Sequence, residues 1–155
     1  MIQRIQSVYL LLAGILPAFT ITTPLARFYT DETAYLTLSA LGLRATGTMQ
    51  PTATMPYHFA LAVISLLLVA LPLANIFLYR NRRRQMRLCN WVVVLGMAWY
   101  AAYIGLSVML LQQTQATFSP ALCAALPFLS IVLTLLAHRA VKKDEELVRA
   151  ADRIR

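Results

Sequence analysis

Residues 7–26, 57–79, 88–111 and 118–137 contain no Asp, Glu, Lys or Arg, and each stretch is at least 20 residues long. About 20 helical residues cross the roughly 30 Å hydrocarbon core of a bilayer. A core helix of a soluble protein carries a polar face, and these stretches carry none. They predict four transmembrane helices. Composition agrees, with 59% of the 155 residues apolar and 13% charged, against a usual charged share of about a quarter. A secreted globular domain, a disordered tail and a conventional cytosolic enzyme are excluded. The expected fold class is an all-α membrane protein forming one four-span domain over residues 1–155. It is a four-transmembrane-helix bundle with a small β-hairpin-bearing outer loop and a cytoplasmic helical extension of the fourth span.

Arg4 precedes the first span as in a signal peptide, but the apolar run exceeds a signal h-region and no A-x-A site follows it. It reads as an anchor. Orientation follows from the bases. Arg4, five arginines in residues 80–87 (RNRRRQMR), and Arg139, Lys142, Lys143, Arg149, Arg153 and Arg155 put twelve on one side, against Arg27 and Arg44 on the other. The positive-inside rule then places both termini and the arginine loop in the cytoplasm. Residues 27–56 and 112–117 face outward. The inner-surface candidates Arg80, Arg82, Arg83, Arg84 and Arg87 should attract anionic phospholipid headgroups, at about 1 kcal/mol per base. A nucleic-acid partner is not expected, because a short basic loop between spans is the ordinary orientation signal.

The outer loop, residues 27–56, mixes Phe28, Tyr29, Tyr35, Leu36, Leu38, Leu41 and Leu43 with threonines. This predicts two or three short strands around Asp31-Glu32, with Gly42 and Gly47 at turns. Such strands are marginal alone and must rest on the helix ends or on a partner. The loop reads equally as a recognition surface or a cap. The tail, residues 138–155, lacks Gly and Pro and pairs Lys142 with Glu146 and Glu145 with Arg149 at i,i+4. Leu147, Ala151 and Ile154 form a thin apolar stripe, a candidate docking strip on an otherwise solvated helix.

Ionisable groups deep in a membrane mark catalysis or transport, and the four stretches have none. Their Ser, Thr and Asn residues more often bond neighbouring helices or their own backbone. Asn75, three residues past Pro72, is the candidate exception. His58 and His138 fall at opposite ends of their spans and cannot share a metal. Cys89 and Cys123 are separated by roughly 20 Å along the normal, beyond the ~7 Å Cα limit of a disulfide. No C-x-x-C, G-x-S-x-G, Walker or H-E-x-x-H pattern occurs. No catalytic, metal or cofactor site is expected. Prolines interrupt spans one, two and four. Gly14/Ala18, Ala70/Ala74, Ala98/Ala102 and Ala101/Gly105 are spaced for close helix approach. Trp99 lies too deep for an interfacial belt and is either core or a lipid- or partner-facing wedge.

The ends of the chain, MIQRIQSVYLLLA and KKDEELVRAADRIR, resemble a family of four-span inner-membrane proteins of Bacteroidota known as a domain of unknown function. The resemblance spans the chain and implies a Gram-negative inner membrane, with no activity or site residue attached. One span, a strand-bearing loop and three further spans also look like claudin topology, a likeness of architecture alone. The leading expectation is a non-enzymatic accessory or assembly subunit of an inner-membrane protein complex, with other membrane proteins as partners. The alternative is a small lipid- or amphiphile-binding protein using a cavity between kinked helices. The third is an enzyme with Asp31, Glu32 and His58 at the outer mouth.

Overall fold

The structure is a computed structural model and describes residues 2–31, 34–47, 57–78 and 81–153. Four helices, α1 (Ile2–Thr22), α2 (Tyr57–Phe77), α3 (Arg82–Thr114) and α4 (Leu126–Arg153), alternate in direction. Each packs on its neighbours in a closed ring, α1 on α2, α2 on α3, α3 on α4 and α4 on α1. At 1.5 Å per residue, α1 and α2 span about 31 Å, and α3 and α4 about 50 and 42 Å. All four contain a stretch long and apolar enough to cross a membrane.

Each helix turns one narrow stripe inward at three- and four-residue spacing. On α3 it is Gln85, Cys89, Val92, Gly96, Trp99, Tyr103 and Ser107. On α2 it is Leu61, Ser65, Leu68, Pro72 and Asn75, and on α4 it runs from Pro127 through Ser130, Thr134 and Ala137 to Val141. The remaining faces expose large apolar side chains, including Phe19 on α1, Leu66 on α2, Met97 on α3 and Val132 on α4. Helices apolar all round, with hydroxyls and amides turned inward, have the distribution expected where the solvent is hydrocarbon.

The bundle carries at one end a four-stranded antiparallel sheet, in the order β3-β2-β1-β4, one strand more than the outer loop alone supplies. β1 (Pro24–Asp31), β2 (Ala34–Ser39) and β3 (Gly42–Thr46) come from the outer loop, as its alternating pattern predicts. β1 also takes Pro24–Ala26 from the predicted first span. Thr23 closes α1 with both its N–H and its hydroxyl on the Phe19 carbonyl, and Pro24 has no N–H with which to continue the helix. β4 (Thr117–Pro120) lies where the fourth span was expected to begin. It pairs with β1 from Ala26↔Pro120 to Tyr29↔Thr117. A single 3₁₀ turn, Leu122–Ala125, then leads into α4.

The sheet lies on the bundle by one face. Ala26 and Phe28 of β1 and Leu36 and Leu38 of β2 are buried against a core that includes Leu61, Leu68, Trp99 and Tyr103. Phe118 of β4 meets Phe28 with ring centroids 5.4 Å apart. Burying a side chain of this kind contributes about 1.5–3 kcal/mol, which anchors strands that would not persist alone.

Candidate functional site

Polar and charged side chains gather in three places: the bundle interior, the end holding the α2–α3 connection (the arginine end), and the sheet end. In the interior, polar groups mostly satisfy one another. The indole N–H of Trp99 donates to Ser65 Oγ at 2.8 Å, and its ring stacks on Tyr103. Tyr103 donates to the Leu25 carbonyl at 3.1 Å, tying α3 to the first strand. Ser130 donates across to the Ala13 carbonyl at 2.6 Å, and Thr134 to the Ser130 carbonyl. Trp99 is therefore core, not a wedge. Asn75, fully buried, joins α2 to α3 by donating Nδ2 to the Gln85 carbonyl and to Cys89 Sγ, both at 3.2 Å. Its Oδ1 has no hydrogen-bond partner among the described residues, and neither have Gln6 Nε2 and Ser107 Oγ.

At the arginine end, backbone N–H groups of Leu78, Asn81 and Arg84 donate to the carbonyls of Asn75, Leu78 and Asn81. The candidate arginines are not equivalent. Arg82 pairs with Asp144 at 2.9 Å and also donates to the Asp144 carbonyl at 3.2 Å. Arg83, Arg84 and Arg87 are exposed and line, with Asn81 and Arg82, a shallow depression of about 370 Å³. Arg80 lies outside the described residues. The Arg82–Asp144 pair fixes α4 beside the start of α3. Nine further residues of α4, to Arg153, then project beyond it, about 13 Å of helix. Of the candidate stripe, Leu147 is 52% exposed. The side chain of Ala151 and all of Ile154 lie outside the described residues.

At the sheet end, register aligns side chains that sequence spacing cannot. Directly paired residues share a face, and the pairs Arg27↔Ser119, Arg27↔Thr37 and Thr37↔Arg44 form one row across all four strands. Tyr29↔Thr117, Tyr29↔Tyr35 and Tyr35↔Thr46 form the next. Both rows lie on the face away from the bundle. The Tyr29 and Tyr35 ring centroids are 5.9 Å apart. A hydrogen bond with Tyr29 and the charge of that phenol's anionic form raise the pKa of the Arg27 guanidinium above its ordinary value. Beside these rows, between β2, β3 and the end of α1, runs a groove of about 440 Å³. The side chains of Asp31 and His58, and all of Glu32, are outside the described residues, so the outer-mouth trio cannot be placed. No group of three or more metal-ligating side chains occurs among the described residues.

The architecture is an apolar-sided four-helix ring, each helix long and apolar enough to cross a membrane, with a strand cap at one end and a charged helix at the other. The chain belongs to the family described as domain of unknown function (DUF4293), which matches residues 2–154. No curated protein matches it.

Proposed function

We propose that the protein is a non-enzymatic accessory or assembly subunit of a bacterial inner-membrane protein complex. Both termini and the arginine end face the cytoplasm, and the sheet faces outward. The twelve-to-two division of bases supports this orientation, and the resemblance to Bacteroidota inner-membrane proteins supports the compartment. Exposed Arg83, Arg84 and Arg87 would meet anionic headgroups at the inner surface.

The observation that carries the reading is the Arg82–Asp144 pair. A solvated helix end needs no clamp, whereas a surface offered to a partner gains by being held in one direction before binding. The thin stripe at Leu147 is only part of such an interface, and the apolar flanks of the helices supply the rest. Deleting residues 145–155 leaves the clamp intact together with Arg139, Lys142 and Lys143 as the inner anchor. The four spans should then insert normally, and a stoichiometric partner present with the full chain in mild detergent should be lost. Unchanged co-purification, or none with the full chain, would refute the proposal.

A further inference from the structure

We infer that the groove between β2, β3 and the end of α1 binds the net-negative headgroup of an outer-leaflet phospholipid, one whose phosphate has no compensating cation. The inference goes beyond the contact-subunit reading and rests only on its bilayer orientation. The groove is layered by chemistry. Ile21 and Leu41 line it at the end of α1 and the β2–β3 turn, and Thr37, Arg44 and Thr46 line it farther along the strands. Height follows from chain direction. β1 leaves the end of α1, β2 returns, and the β2–β3 turn brings Leu41, 63% exposed, back to the level of Thr22. An exposed leucine at that level suits an acyl chain, not water.

Arg44 stands two residues beyond Gly42 along β3, about 7 Å farther from the hydrocarbon. The headgroup layer adds about 5–8 Å on each side of the core, so the guanidinium sits at phosphate depth. Arg27 lies in the same row, two strands from Arg44, hence about 10 Å away. Thr37 stands between them with a hydroxyl. Above this row, Tyr35 and Thr46 offer a ring face and a hydroxyl to the polar remainder of a headgroup. Asp31 ends β1, at the opposite end of that strand from the groove's base. A cation flanked by hydroxyls over an apolar base matches an amphiphile with one phosphate. A soluble anion would have no use for Ile21 and Leu41.

The test uses the full chain in phosphatidylcholine nanodiscs containing a small mole fraction of radiolabelled phosphatidylglycerol, with a photo-crosslinking phenylalanine at Leu41. The crosslink should be enriched in phosphatidylglycerol over its mole fraction by about tenfold, the ratio that a preference of about 1.4 kcal/mol for a phosphate without a compensating choline supplies. Arg44→Gln should abolish the enrichment, and Arg44→Lys should retain part of it. The double variant Arg83→Gln/Arg84→Gln, at the other end, should leave it intact. A crosslinker at Val132, exposed on α4, reads insertion separately and should capture both lipids in proportion. Proportional capture at Leu41, or enrichment that survives Arg44→Gln, overturns the proposal. No lipid capture at Val132 overturns the bilayer reading and the groove with it.

Discussion

Two glycines in one helix should respond to the same substitution with opposite sign. A Cβ built on Gly96 would lie 2.6 Å from both Cγ1 and Cδ1 of Ile131, so α3 and α4 touch there without room for a methyl. A Cβ on Gly105 meets nothing within 4 Å. Ala exceeds Gly in helix propensity by about 1 kcal/mol. That gain stands alone at Gly105, and Gly105→Ala should stabilise by about 0.5–1 kcal/mol. At Gly96 it is opposed by overpacking of about 1–3 kcal/mol, since the Ile131 side chain must rotate or the helices part. The net for Gly96→Ala is a loss of about 1 kcal/mol. Ile131→Ala removes both clashing atoms, so the double variant should lose less than the sum of the singles, with a coupling of about 1 kcal/mol. Reversible unfolding in mixed micelles, followed by the fluorescence of Trp91 and Trp99, measures all four proteins. If Gly96→Ala proves as stabilising as Gly105→Ala, the close approach of α3 and α4 is wrong. If Gly105→Ala destabilises, that face packs against something in the assembled protein.

Trp99→Phe should cost about 2–4 kcal/mol by the same assay, because it opens space and strands the Ser65 hydroxyl. Adding Ser65→Ala should recover part of the loss. Arg82→Gln should change stability by less than about 1 kcal/mol, since a pair this accessible is screened. It should nevertheless raise the mobility of a spin label at Glu146, and an unchanged spectrum would mean that the clamp does not hold the tail. In a Cys123→Ala background, Thr46→Cys should react with an impermeant thiol reagent in intact spheroplasts and Arg84→Cys should not. Reverse labelling would invert the orientation.

The helices were legible because their signal is local: four uncharged stretches, each of sufficient length, appear without knowledge of any partner. The three loop strands were legible for a similar reason, since Ala34 to Ser39 alternates inward and outward faces within six residues. β4 was not. Phe118 and Pro120 are apolar and adjoin an apolar run, and only pairing with Ala26–Tyr29, some ninety residues earlier, makes them a strand. Trp99 stayed ambiguous because depth along a span says nothing of which side faces inward, and that depends on Ser65 and Tyr103. The rows joining Arg27 to Arg44 are likewise a product of register across strands. Gly105 has Ala101 at four-residue spacing yet meets nothing among the described residues, whereas Gly96 has no such neighbour and abuts Ile131, so spacing alone does not locate the close approach.

The pairing of β1 with β4 also bears on how the molecule is made. β1 follows the first helix and β4 precedes the last, so the sheet stitches together the earliest and latest spans to leave the ribosome. β3, β2 and β1 can pair while the last third of the chain is still being synthesised, but the fourth place stays empty until residues 117–120 emerge. Throughout that interval the edge of β1 presents unpaired backbone groups, the feature that recruits foreign strands. A chain halted after its third helix would keep that long edge open as a sign of incompleteness. Pairing with β4 then exchanges the eight-residue edge of β1 for the four-residue edge of β4, a shorter invitation to foreign strands that depends on the stretch just before the final helix.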